Sequence, residues 1–447
     1  MKKETTNKAL KNLTLDGIFS QARIGITANY LIPLALMLGA TNEFIGILNA
    51  IPHLMGMVFQ PMAAKINRFF NNKKFVTVFF SLLHRLFWIP LVIVPFVVPN
   101  GLIWLLLFLA ISSIFSHIAT TTWTSWMMHL VPKKIRGIYF GKRNMISNLS
   151  AFVTSLLAGW YLGIIDGAFG FITLFIFATF LGLISSYYLS KIPNIKSKAK
   201  PYFHFSFKKF FKGYVDHENY SNFVIFMSLA YFSITIASPF VVVYILRDLN
   251  LSYSLFAIAI AIQALFDMIS QPYWGKFSDK FGDRTTLIIC FSMAPFSILA
   301  WAFISSFWQI IILQVFTGFI WAGFNLSVFN YLLDSTPSID SVRFIGNYRM
   351  FTAFGNFFGP LTGGLLATYF ASQTFFIFSG LQLLFILAFV MRLLLAIYMI
   401  PRVKEIRVKA KTRDFKNIYL KALVKYPLHS VSREILHIIQ HVHYEKK

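Results

Sequence analysis

Acidic residues are scarce in this chain. Of 447 residues, 41 are Lys or Arg and only 16 are Asp or Glu, for a formal net charge of +25. There is a single cysteine, Cys290, which excludes an intramolecular disulfide and any multi-cysteine metal site. No Gly-x-x-x-x-Gly-Lys-Ser/Thr loop is present, so an ATP-driven pump lacks its phosphate cradle. The sequence holds no His-Glu-x-x-His and no plausible nucleophile–base pair within its apolar segments, which opposes an intramembrane enzyme. Charge of either sign is uncommon: charged residues make up 13% of the chain, hydrophobic residues 57% and aromatics 18%, 52 of them Phe expected to face lipid. With a mean hydropathy of +0.65, the composition is that of a multi-span membrane protein. In a soluble protein the positive charge would suggest nucleic acid. Here the cations gather in alternate loops, so they read as topology and no nucleic-acid partner is expected.

Twelve apolar segments are each long enough to cross a bilayer. The expected spans are 14–38, 42–66, 73–98, 101–130, 138–164, 167–191, 220–246, 252–277, 284–306, 308–333, 343–369 and 373–399. The first has no small-residue cleavage site and reads as a span rather than a signal peptide. One set of loops carries Lys65, Arg68, Lys73 and Lys74, then Lys133, Lys134, Arg136, Lys142 and Arg143, then the lysines of the long middle loop. The opposite loops are short and nearly uncharged, with Glu43, Asp166 and the pair Arg247–Asp248. Both termini and the middle loop are therefore expected in the cytoplasm, in a multi-pass protein of the plasma membrane. The domain division follows: a cytoplasmic tail 1–13, a six-helix bundle 14–191, a basic linker 192–219, a second six-helix bundle 220–400 and a basic tail 401–447. The last tail would lie on anionic headgroups. Its His437 and His441 share one helix face, but two imidazoles without a third ligand seldom hold a metal, so none is expected there.

One loop organises the chain: Gln271-Pro-Tyr-Trp-Gly275-Lys-Phe-Ser-Asp279-Lys-Phe-Gly282-Asp283-Arg284. Its degraded twin is Gln60-Pro-Met-Ala-Ala64-Lys65-Ile-Asn-Arg68-Phe-Phe-Asn71, and 211 residues separate Gln60 from Gln271. Pro132, Gly141 and Gly159 likewise precede Pro337, Gly346 and Gly364 by 205 residues. A tight turn between spans needs Gly where backbones approach, which suits Gly275 and Gly282. The pattern Gly-x-x-x-Asp-x-x-Gly-x-Arg resembles the signature loop of the Major Facilitator Superfamily, found between its second and third helices and again between its eighth and ninth. The first copy departs from it, with Ala64, Arg68 and Asn71 in place of Gly, Asp and Gly. The resemblance implies an all-α fold of two parallel six-helix repeats, with helices 1, 4, 7 and 10 lining a midplane cavity. It also implies a cytoplasmic gate latch, here Gly275, Asp279, Gly282 and Arg284 with Asp334, Arg343 and Arg349 across the loop from span 10 to span 11.

Spacing alone finds polar stripes in those same four spans: Asp16, Ser20, Arg23 and Thr27; Ser113, His117, Thr120 and Thr124; Ser228, Tyr231, Thr235 and Ser238; Gln314, Gly318, Trp321 and Asn325. Many Ser and Thr in such helices bond only their own backbone. The cavity candidates are Arg23, Thr27, His117, Thr120, Thr124, Tyr231, Thr235, Trp321 and Asn325, with Asn356 beside them. Arg23 is a partner for an anionic substrate, for a cavity carboxylate or for Asp16, which lies close enough to the membrane edge to be simply hydrated. Asp267, in the middle of span 8, is either a titrating carboxylate for proton coupling or a structural contact. Arg85, too deep to snorkel, is expected to turn towards spans 2 and 4 and form a cluster with His53, His84 and His117, either proton-carrying or static. Trp126 is assigned to an interfacial belt. Gly355, Gly359 and Gly363 form a small face for sliding helices, with a bend at Pro360.

The expected function is a monomeric secondary transporter of a small solute, embedded in lipid, working by alternating access. It needs no cofactor and has protons as a candidate coupling ion. The alternative is a transporter-like sensor or scaffold that no longer transports, which the degraded first loop supports and the polar stripes oppose.

Overall fold

A computed structural model describes residues 3–131, 136–194, 218–336, 341–372, 378–399 and 402–404. Most of the middle linker and of the C-terminal tail, including His437 and His441, lie outside these residues. Among the described residues the chain is helical, with no strand. In order the helices are α1 (Lys3–Met37), α2 (Asn42–Phe59), α3 (Met62–Phe70), α4 (Lys73–Leu86), α5 (Trp88–Val97), α6 (Gly101–Leu130), α7 (Arg136–Ile164), α8 (Gly167–Ser190), α9 (Glu218–Thr235), α10 (Ser238–Val243), α11 (Tyr253–Phe281), α12 (Asp283–Trp301), α13 (Phe307–Ser335), α14 (Ser341–Ala371) and α15 (Gly380–Met399). A π-helical turn, Tyr244–Asp248, extends α10.

These helices fall into the twelve expected segments, three of which are broken. Span 2 divides at Gln60–Pro61, span 3 at Phe87 and span 7 after Thr235. Each break has a proline at the right offset. Pro61, Pro90 and Pro239 have no N–H to give the carbonyls of Met57, Leu86 and Thr235, so the ladder opens there. Among the described residues, nine helical segments are long and apolar enough to cross a membrane. Spans 1, 2 and 11 fall short by composition or length: the first carries Asp16 and Arg23, the second is interrupted, and the eleventh mixes glycines with Asn347, Arg349 and Asn356.

Packing divides the molecule in two. At the end bearing the basic loops, each half has its own apolar core. Trp126, Leu130 and Leu189 gather around Leu13 in the N-terminal half, and Trp274, Phe277, Phe291 and Tyr331 gather in the C-terminal half. At the opposite, sparsely charged end one core takes residues from both halves, among them Tyr30, Leu48 and Phe175 with Phe240, Tyr244 and Phe256. Trp126 is thus fully buried rather than set in an interfacial belt. Phenylalanine is divided between core and surface: Phe171, Phe175, Phe223, Phe226, Phe240 and Phe291 are among the most deeply buried side chains, whereas Phe169, Phe177, Phe180, Phe296, Phe303 and Phe329 are exposed.

Glycines set how closely helices approach. The stripe Gly355, Gly359 and Gly363 packs α14 onto span 7. A methyl group on Gly359 would lie 2.1 Å from Thr235 Oγ1 and 2.8 Å from the Phe232 carbonyl oxygen. The close approach of this stripe is to span 7, inside the C-terminal half. Substituting Gly359 with Leu should destabilise the protein by about 1–3 kcal/mol through overpacking, read as a lower thermal midpoint in detergent. Gly141, with nothing within 4 Å of such a methyl, is the control. Gly141→Ala should leave the midpoint unchanged or raise it, by up to about 1 kcal/mol.

Candidate functional site

Ionic chemistry in the N-terminal half centres on Asp16. Its carboxylate lies 3.9 Å from Arg85 and 3.7 Å from Arg143 and accepts a 2.6 Å hydrogen bond from Ser185 Oγ. Arg85 donates to Ser185 at 2.8 Å and to Ser186. Arg143 also donates to the Leu13 carbonyl at 3.0 Å and sits 5.2 Å from the Trp123 ring centre. Asp16 is 4% exposed and Arg85 5%. Asp16 is therefore a buried bridge between spans 1, 3, 5 and 6, not a hydrated edge residue. Arg85 turns to spans 1 and 6 instead of spans 2 and 4, and among the described residues its one carboxylate partner, Asp16, is there.

The proposed histidine cluster is resolved into separate contacts. His84 Nδ1 meets the carbonyl and hydroxyl of Ser112 at 3.0 and 2.7 Å. His117 Nε2 donates to the Pro52 carbonyl at 2.9 Å and its Nδ1 lies 3.3 Å from Gln60 Nε2. His53 neighbours His117, and His84 is within electrostatic reach of Arg23, Arg85 and His117. No hydrogen bond links one histidine to another or to Arg85.

Arg23 does not pair with Asp16. It is 7% exposed, makes no ion pair or hydrogen bond with the described residues, and leaves Nε unpartnered. Its stem runs beside that of Arg85 over Gly182, where a methyl group would fall 2.9 Å from Arg23 Cδ and 3.1 Å from Arg85 Cδ. Gly182 thus makes room for two parallel cations.

The remaining candidates are scattered. Thr120, Thr124 and Asn325 are exposed, while Trp321 and Asn356 are half-buried and Thr27 is buried. Thr124 and Thr235 spend their hydroxyls on the carbonyls of Thr120 and Tyr231, at 2.9 and 2.7 Å. Tyr231 is joined to Tyr348. Asp267 is half-buried against α13 and accepts a 3.1 Å hydrogen bond from Gln271. Among the described residues no cation lies within ion-pair distance of it.

The signature loop differs from its expected form. Gly275 sits inside α11, where a methyl group would meet Leu326 at an ordinary 3.9 Å, so no tight turn or close approach requires it; of the two, Gly282, at φ +94°, takes a conformation that favours glycine. Asp279 is exposed, whereas the next acid, Asp283, is 3% exposed. Asp283 opens α12, accepts from Ser278 and Asn330, and is stabilised at the positive end of that helix. Arg284 donates to the Val403 carbonyl, and Tyr331 and Asn219 hold Lys404 beside it. The loop arginine thus holds the start of the C-terminal tail. Asp334 and Arg349 belong to α13 and α14, and the side chain of Arg343 is outside the described residues.

Sequence reasoning did not single out Arg392. It is 3% exposed and donates to the carbonyls of Ser233, Ile234 and Ala294 at 3.1–3.3 Å. Two of these carbonyls are at the end of α9, where the break in span 7 leaves them short of helical donors. A lone Arg in span 12 was the available signal.

The Major Facilitator Superfamily profile matches residues 17–216 and 223–437. The chain belongs to this superfamily. Among superfamily relatives it is 32% identical over 119 residues to the uncharacterized MFS-type transporter YuxJ of Bacillus subtilis, a match spanning 26% of this chain and 30% of that one. It is 30% identical over 169 residues to the quinolone resistance protein NorA of Staphylococcus aureus, spanning 37% of this chain and 42% of that one. The chain therefore aligns with less than half of either relative. The fold matches the nucleoside transporter NupG (TM-score 0.70, 12% identity, covering 88% of this chain and 100% of that one). It also matches a bacterial homologue of the human lysosomal transporter Spinster in an inward-facing, unoccupied conformation (TM-score 0.65, 15% identity, 94% and 99%). The protein is an integral membrane protein of a transporter superfamily, with two six-helix repeats.

Removing Asp16 would leave the Arg85 and Arg143 guanidiniums without a counter-charge. Asp16→Ala should cost about 3–5 kcal/mol, seen as a large drop in thermal midpoint. Arg85→Met, which removes a charge and keeps the volume, should cost clearly less.

Proposed function

We propose that this superfamily member is a secondary transporter of a small solute that works by alternating access, and that the structure is its inward-open state. The observation that carries this reading is the asymmetric packing: one core shared between halves at the sparsely charged end, and two separate cores at the basic end. Basic loops mark the cytoplasmic side, so the open end faces the cytoplasm and both termini lie there. The solute reaches the cavity between spans 1, 4, 7 and 10, where Thr120, Thr124, Trp321, Asn325 and Asn356 offer polar and aromatic groups. Asp267, with no cation beside it, is the group to carry a coupled proton. Relatives named for quinolone and tetracycline resistance place such compounds first in a solute panel.

The closed end offers a direct test. A methyl carbon on Gly163 would lie 3.3 Å from Ser254 Cβ, close to the 3.5–4.5 Å of a disulfide, and the native Cys290 is buried and does not compete. In Gly163→Cys/Ser254→Cys, oxidation should join the halves and stop transport of any panel solute the reduced protein carries, with recovery on reduction. Full transport by the cross-linked protein would rule out alternating access through this end.

A further inference from the structure

The buried charges of the N-terminal half do not balance. Asp16 is shared between Arg85 and Arg143, and Arg23 adds a third guanidinium with no ion-pair partner among the described residues and an unpartnered Nε. A guanidinium only 7% exposed and without a counter-charge is unfavourable unless it is paired. Deprotonation offers no escape, since a guanidinium stays charged. The fold also does nothing to separate Arg23 from Arg85: Gly182 lets their stems lie side by side. His84 borders the same space. Its Nδ1 is bound to Ser112 and its Nε2 has no hydrogen-bond partner among the described residues.

We propose that Arg23 is the anchor of an anion site between spans 1, 3, 4 and 6, bordered by His84 and Gly182, that takes the compact oxyanion group of the solute, a carboxylate or a phosphate. This proposal rests on the transporter reading and names its substrate class. A planar guanidinium binds either group through two parallel N–H donors. The bound anion supplies the charge that Asp16, already shared, does not. The site belongs to the N-terminal half alone, so solute held there also reaches groups on spans 7 and 10 only when the halves rock together.

Binding, not transport, is the test, so its failure is separable from failure of alternating access. The full chain in detergent is titrated with inorganic phosphate and, separately, with benzoate, against potassium chloride at matched ionic strength. Thermal midpoint and tryptophan fluorescence are followed. Trp88, 6.5 Å from His84 by ring centres, is the reporter, and Trp88→Phe identifies its share. One of the two anions should raise the midpoint and change Trp88 emission at millimolar concentration or below, and which one does so assigns phosphate or carboxylate. Arg23→Gln should weaken that affinity at least tenfold, and Arg23→Lys should retain part of it. Arg23→Met, which removes the uncompensated charge, should be as stable as the parent without anion and gain nothing from it. Equal responses in parent and Arg23→Gln, or no response to either anion beyond that of chloride, would overturn the proposal.

Discussion

The two halves of this bundle touch where side chains are smallest, and the rest of the architecture depends on that contact. A methyl group on Gly46 would fall 2.4 Å from the Pro360 carbonyl oxygen, and one on Gly159 would fall 2.1 Å from Ala257 Cβ. Spans 2 and 11 on one side, and 5 and 8 on the other, therefore meet almost backbone to backbone at the sparsely charged end. Tyr30 fills the space between, bonding the Ser155 carbonyl at 2.7 Å and meeting Phe256 edge-on. Such a seam is small and free of ion pairs among the described residues, so separating it breaks dispersion contacts rather than charged networks. That suits the opening and closing proposed for this seam.

Charges are placed inside each half, where they hold it rigid. Arg85 in span 3 reaches spans 1 and 6, and Arg392 in span 12 reaches spans 7 and 9. Under the six-helix repeat these are the same three-helix junction. Each half ties it with one arginine, donated from a different helix and accepted differently: by a carboxylate and two serines in the first half, by backbone carbonyls in the second. Under the proposed alternating access, halves tied in this way and joined by a glycine seam would move as bodies.

The twelve segments were legible because lipid imposes length and apolarity on each of them. The breaks at Pro61, Pro90 and Pro239 were not legible from proline alone, since Pro33, Pro52, Pro272, Pro295 and Pro360 lie inside continuous helices. Side-chain direction was not legible. Arg85 and Trp126 sit near helix faces that one sequence leaves ambiguous, and Asp16 looked peripheral because its depth depends on where Arg143 of span 5 comes to rest. The polar stripe of span 1 illustrates the limit: its spacing marks one face, but that face lies against spans 3 and 6 as much as towards the cavity. Gly275 matched a motif written for turns, and the chain carries it inside a helix.

Distances across the two ends test the central claim most directly. Spin labels at Phe69 and Lys280 report the basic end, and labels at Asn100 and Ser305 report the opposite end; all four positions are exposed. Double electron–electron resonance should show the two distances changing in opposite senses when a bound solute shifts the population, the first shortening as the second lengthens. Two distances that stay fixed, or that lengthen and shorten together, would contradict a pair of rigid halves rocking about a central site.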